Sequence, residues 1–254
     1  MCLIVLAHRM HPDYPLVVAA NRDEYFHRPT AVAAFWSDAP QVLAGRDLRG
    51  GGTWLGVTRQ GRWAALTNVR EPVEGAAARS RGLLVSGFLR SQDDPQHYLA
   101  RLARWGYRFT GFNLLAGDSR ALASYSNRDV GVRVLPPGCY GLSNHLLDTP
   151  WPKVEQAKGR MHALLARRDF VPDQLWDVLA DRQLPDVATL PETGIDRDLE
   201  QALGAIFVQL PDYGTRCSTL LSISREGHVR FSERRFDSHG KMQGESRFSF
   251  TLVR

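Results

Sequence analysis

The stretch CLIVLAHRMHPDYPLVVAANRDE (2–24) decides the fold of this chain. Residues 3–8 and 16–21 are short apolar runs rich in β-branched side chains, with HPDYP (11–15) between them. Such a pair reads as a buried β-hairpin. A cysteine directly follows the initiator methionine. At the start of a strand it can be a small apolar filler. Once Met1 is removed, it becomes instead an N-terminal nucleophile whose own amino group is the base.

Working outward, TWLGVT (53–58) and RWAALTN (62–68) repeat the arrangement around a tight Arg-Gln-Gly turn, where Gly61 suits a positive φ. SRGLLVSGFLRS (80–91) and DPQHYLARLARWG (94–106) carry apolar residues at helical spacing, with Asp93 or Asp94 as N-cap. GFNLLAGD (111–118), ALASYSN (121–127) and VGVRVLPPGCYGLSN (130–144) read as consecutive strands. A second helical region covers 151–168, opened by Pro152, and continues over 171–183. A Pro-rich loop (184–194) leads to one short helix within 192–208, and residues 216–237 and 246–253 return to strands. Helices come in pairs and do not alternate with single strands, which argues for antiparallel sheets with helices packed outside, in one domain over 1–254.

Composition narrows the function. No apolar run approaches the roughly 20 residues of a membrane helix, and the apolar run after Cys2 is short, follows no basic region and is interrupted by His8 and Arg9. The expectation is a cytoplasmic protein without stable membrane insertion. The net charge is +5, and only Lys153, Lys158 and Lys241 are lysines. The arginines are scattered among acids, so no nucleic-acid partner is expected. Cys2, Cys139 and Cys217 form neither a disulfide framework nor a CxxC metal pattern. His8, His11 and His27 make only a weak zinc signature, so no metal is expected. GRDLRGGGTWLG (45–56) lacks the P-loop and dinucleotide spacings, and no cofactor is implied.

Polar residues concentrate at strand ends: Cys2, Asn21-Arg22-Asp23-Glu24, Asn68, Asn144 and Arg216. Each alone is ordinary turn or surface chemistry. As a set they describe an acyl transfer. The α-amine, with a pKa of roughly 7.7–8.0, takes the thiol proton. Arg22 and Arg216 hold the thiolate, Asp23 orients the ammonium or pairs with Arg22, and Asn68 and Asn144 donate to the oxyanion.

The motifs ANRDE (20–24), AGRD and GGTWLGV (44–57), ALTNVR (65–70), SRGLLV (80–85), FNLLAGD (112–118), GLSNHLLDTPWPKV (141–154) and YGTRCSTLL (213–221) resemble, in order, those of the NRDE family, the transport and Golgi organisation protein 2-like proteins. That family is similar to N-terminal-nucleophile hydrolases of the choloylglycine hydrolase and penicillin V acylase type. The resemblance implies an α+β fold, a four-layer αββα sandwich of two mainly antiparallel sheets. It also implies catalytic roles for Cys2, Arg22, Asp23, Asn68, Asn144 and Arg216. The hydrolases read Arg-Asn-x-Asp where this chain reads Asn-Arg-Asp, so Arg22 transfers while the role of Asp23 stays open.

Two functions follow as expectations. One is an amidase or acylase acting on non-peptide C–N bonds of a small-molecule substrate through a Cys2 acyl-enzyme. The alternative is a non-catalytic trafficking protein on the same fold, carrying haem or a lipid-like ligand in a pocket lined by arginines and by Trp36, Trp54, Trp63 and Tyr213.

Overall fold

The computed structural model describes residues 2–71 and 79–253. In chain order its strands are β1 (Cys2–His8), β2 (Leu16–Tyr25), β3 (Thr30–Trp36), β4 (Ala39–Asp47), β5 (Leu55–Thr58), β6 (Trp63–Asn68), β7 (Phe112–Gly117), β8 (Leu122–Ser126), β9 (Val132–Val134), β10 (Gly138–Leu142), β11 (Tyr213–Ile223), β12 (His228–Phe236) and β13 (Met242–Thr251). The helices are α1 (Gly82–Arg90), α2 (Pro95–Ala103), α3 (Pro152–Leu165), α4 (Trp176–Leu179) and α5 (Arg197–Leu203). One antiparallel sheet runs β10-β1-β2-β11-β12-β13 and the other β3-β4-β5-β6-β7-β8-β9. The α+β class with two antiparallel sheets is as expected. Among the described residues, one compact unit takes those up to His27, Pro137–Ser143 and Leu147–Ser249, and a second takes Arg28–Pro136, Asn144–Leu146 and those from Phe250 on.

In the first unit, β1 and β2 form the hairpin read from the sequence, in register from Cys2↔Arg22 to His8↔Leu16. Side chains alternate between faces of a strand. Leu3, Val5 and Ala7 of β1, Val17 and Ala19 of β2 and Leu220 of β11 accordingly form one apolar surface with Val154, Ala157 and Met161 of α3 and Val178 and Leu179 of α4. Each such Leu, Val or Met, fully buried, contributes about 1.5–3 kcal/mol. The residues between them, Ile4, Leu6, Val18 and Ala20, are buried too, which is why the two runs read as continuously apolar and do not alternate with polar residues.

The second unit follows the same logic. Val42, Ala44, Ala64, Leu66, Leu114, Ala116 and Ala123 meet Leu84, Val85, Phe88 and Leu89 of α1 and Leu99 and Leu102 of α2. Asp94 caps α2, accepting the His97 N–H at 2.9 Å, and Gly61 turns the β5–β6 hairpin with φ +81°. The glycine run that matched no phosphate motif has a packing cause. A Cβ on Gly52 would stand 2.3 Å from the Gly82 backbone carbon at the start of α1.

Three expectations need correction. Residues 130–144 are two strands: β9 and β10 belong to different sheets. Pro136 and Pro137 lie between them, and neither can donate to a ladder. Residues 171–183 hold only a 3₁₀ turn (Pro172–Leu175) and the single-turn α4. Strands β3 and β4 lie where the sequence pattern gave no element. Among the described residues, no helix is long and apolar enough to cross a membrane.

Candidate active site

The NRDE tetrapeptide ends β2, and strand alternation splits it between two faces. Arg22 lies directly opposite Cys2 on β1 and directly opposite Cys217 on β11. Directly opposed residues share a face, so Cys2, Arg22 and Cys217 form a row across three strands. Glu24, two residues on, sits on the same face, with its Oε2 3.4 Å from Arg22 Nη2; its Oε1 accepts the Tyr25 N–H at 2.9 Å.

Asn21 and Asp23 point the other way, toward the helices. Asn21 is fully buried, and its Nδ2 donates to Leu179 O at the end of α4 (2.9 Å) and to Ile206 O (2.8 Å). Its Oδ1 accepts from Ser218 Oγ at 2.6 Å. Asp23, only 3% exposed, accepts from Thr215 Oγ1 at 2.6 Å. Thr215 in turn accepts the Val208 N–H at 2.9 Å. The β2–β11 register slips between Thr215 and Cys217, leaving Arg216 as the extra residue of a bulge. Thr215 and Cys217 would share a face in a regular strand; the bulge lets Thr215 reach Asp23 while Cys217 flanks Arg22.

Electrostatics follow from this geometry. Burial pushes the Cys2 thiol above its ordinary value, and the Asp23 carboxylate adds to the rise. Arg22 and a hydrogen bond from the Asp23 backbone N–H oppose it. Burial likewise raises the Asp23 carboxyl, with Lys153 the strongest opposing charge; the Thr215 hydroxyl and Arg22 also oppose the rise. Arg216 is held below its ordinary value by burial and by Arg22 beside it; its Nη1 reaches Tyr25 O at 3.4 Å. Burial also keeps the Cys217 thiol protonated.

Cys2, Arg22 and Arg216 are thus brought together within the first unit, with Asp23 next along β2 and turned to the opposite face. Asn68 and Asn144 are brought together within the second, where Asn144 Nδ2 donates to Asn68 O at 2.8 Å and Asn144 O accepts the Arg70 N–H at 2.7 Å. Met1, whose removal would free the Cys2 amine, lies outside the described residues. Of the aromatics considered for a ligand pocket, Trp36 and Trp63 are core residues, 5% and 2% exposed. Arg46 covers the Trp36 ring at 4.4 Å. Tyr213 packs edge-on against Tyr25 and donates to Asp23 O at 3.0 Å.

Three site residues were missed by sequence reasoning. Ser143 Oγ donates to Cys2 O at 2.9 Å, and Thr215 holds Asp23. Lys153 is 1% exposed and donates to Leu203 O at 2.9 Å. The signal for Lys153 was present: it is one of three lysines in an arginine-rich chain, placed on the face of α3 that otherwise carries Val154, Ala157, Met161 and Leu165.

Residues 1–238 match the family model described as Transport and Golgi organisation 2. The chain is 40% identical over 261 residues to a Transport and Golgi organization protein 2 homolog of Bos taurus, covering 92% of each chain. It is 37% identical to the Homo sapiens homolog, covering 99% of each. Among solved structures it is similar to the C2A mutant of the conjugated bile acid hydrolase from Clostridium perfringens, with a TM-score of 0.50 and 8% identity, covering 100% of this chain and 97% of that one. At that identity the likeness is one of fold, the N-terminal-nucleophile hydrolase fold. The chain belongs to the Transport and Golgi organisation 2 family.

Proposed function

We propose that the protein is an N-terminal-cysteine amidohydrolase that cleaves non-peptide C–N bonds of a small molecule after removal of Met1. The observation that carries this reading is the register Cys2↔Arg22, with the Asp23 backbone N–H hydrogen-bonded to the same sulfur. The α-amine of Cys2 takes the thiol proton, and the sulfur attacks the acyl carbon. A C–S bond forms, the C–N bond breaks, and the leaving amine takes the proton. Water then hydrolyses the thioester, releasing the acid and restoring the thiol. Arg22 and Arg216 favour the thiolate. Asp23 positions the amine. The roles of Asn68 and Asn144 as oxyanion donors rest on the resemblance alone. The bile acid hydrolase of like fold supports the reading in that its crystallised variant replaces a cysteine at position 2.

The test is intact mass spectrometry of protein purified without an N-terminal tag, followed by turnover of an acyl-amide panel by wild type and Cys2→Ala. The expected result is a mass lacking Met1 and activity lost in the variant. Retention of Met1, or equal turnover by both proteins, would sink the proposal.

A further inference from the structure

Asn113 has no place in the mechanism as drawn, yet it bonds to the segment that carries Asn144. It lies on β7 directly opposite Thr67 of β6, and it is buried, 4% exposed. Its Nδ2 donates to Thr67 Oγ1 at 3.0 Å and to His145 O at 2.8 Å. A carbonyl oxygen only accepts, so His145 O fixes which end of the amide turns toward it. Both hydrogens of Nδ2 are thereby used, while the buried Oδ1 has no hydrogen-bond partner among the described residues. An unmet buried acceptor carries a desolvation cost that an apolar residue would avoid. The backbone ladder already pairs β6 with β7 from Trp63 to Asn68 without help from this side chain. The amide is therefore better explained by what it holds, the segment Asn144–Leu146, which belongs to the same unit as β6 and β7. Three hydrogen bonds meet there. The Arg70 N–H donates to Asn144 O at 2.7 Å, Asn144 Nδ2 donates to Asn68 O at 2.8 Å, and Asn113 holds the next carbonyl. Of these three, only the last is made by the side chain of a residue other than Asn144.

We propose that Asn113 is a positioning residue for Asn144: its buried amide holds the His145 carbonyl to β7, and that hold sets the direction of the Asn144 side-chain amide. This rests on the reading of Asn144 as an oxyanion donor and adds to it the residue that keeps the donor aimed. A purely structural amide would support the end of the sheet without altering the donor.

The experiment compares two variants of the full chain. Asn113→Leu keeps the branched shape and removes both bonds, whereas Thr67→Val removes only the Thr67 hydroxyl and leaves the bond to His145 O. Protein labelled with heavy nitrogen at asparagine is followed by NMR, with the Asn144 side-chain signals assigned from Asn144→Ala. In Asn113→Leu those signals are expected to shift and their exchange with solvent to speed about tenfold; in Thr67→Val they are expected to stay. Unchanged Asn144 signals in Asn113→Leu overturn the proposal, as does Thr67→Val moving them as far.

Kinetics on an amide turned over by the wild type give a second readout. Asn113→Leu is expected to lower kcat about ten- to a hundredfold with KM within about twofold, because the aim of a donor matters once charge develops on oxygen. Alkylation of Cys2 by iodoacetamide forms no oxyanion and is expected to stay within about twofold of the wild-type rate. A raised KM at unchanged kcat overturns the proposal, and so does an alkylation rate that falls as far as kcat. Should Asn113→Leu fail to fold, Asn113→Ala is read in its place; failure of both shows that the amide holds the sheet itself and overturns the proposal. Should the wild type turn over no amide, the hydrolase reading fails, and the NMR arm alone decides whether Asn113 holds Asn144.

Discussion

Cys2 and Arg22 stand directly opposite one another on adjacent antiparallel strands, so their side chains share one face of the sheet. The Arg22 charge favours the thiolate against the burial that disfavours it. Removing it raises the thiol pKa further and leaves less thiolate at a given pH. Arg22→Gln is therefore expected to slow Cys2 alkylation at pH 8 roughly tenfold. The rate–pH curve should move to higher pH without changing its plateau. An unmoved curve in a folded variant would show that Arg22 does not act on the sulfur.

Cys217 flanks Arg22 from the other side, two strands from Cys2. Two strand spacings come to about 9–10 Å, beyond the roughly 7 Å that a disulfide tolerates between Cα atoms. Mild oxidation is expected to leave no Cys2–Cys217 link, a result read from non-reducing peptide maps. A substantial yield of that link would mean that β2 does not separate β1 from β11.

Asn21 is the structural half of the motif. Asn21→Ala removes two donors to backbone carbonyls and the acceptor for Ser218. Leaving those buried groups unpaired is expected to cost about 2–4 kcal/mol, measured by denaturant unfolding with the m-value unchanged. A loss under about 0.5 kcal/mol, the range of a surface substitution, would mean the side chain does not staple β2 to α4.

Thr215 ties Asp23 to the loop before β11 through one hydroxyl, which donates to the carboxylate and accepts the Val208 N–H. Thr215→Val keeps the shape and strands both partners, at an expected cost of about 2–4 kcal/mol. Thr215→Ser keeps the hydroxyl and should recover most of it. Equal losses in the two variants would point to the methyl group instead.

Gly52 meets the backbone of Gly82 too closely to carry a side chain. Gly52→Ala is expected to destabilise by about 1–3 kcal/mol through overpacking, with a lowered Tm. A neutral substitution would show that the turn and α1 can part without penalty.

The hairpin of residues 2–24 and the paired helices were legible because periodicity and burial are local signals. Leu3, Val5 and Ala7 pack on helices while Ile4 and Leu6 are buried on the opposite face, so an unbroken apolar run was the correct sign of a central strand. Strands β3 and β4 were not legible. Their register slips twice and several of their residues are exposed, which erases the alternation. The break at Pro136-Pro137 was visible in the residues, but not that the chain changes sheets there. In the site, Cys2, Arg22 and Arg216 could be picked out by residue type. That Asn21 and Asp23 turn toward the helices depends on cross-strand register and on the bulge at Arg216. Those are set by a partner strand far along the chain. Lys153 escaped notice because a lone lysine in a helix normally reads as solvated surface.

The strand that carries the motif is completed late. Asp23 and its partner Thr215 are 192 residues apart, and at synthesis rates of about 5–20 residues per second roughly 10–40 s separate their emergence from the ribosome. Until β11 arrives, the nascent hairpin presents Arg22 with one thiol neighbour in place of two, Asn21 and Asp23 without Ser218 and Thr215, and one long edge of β2 open to solvent or to a chaperone. Strand β2 is therefore made well before the strand that encloses it, 192 residues on.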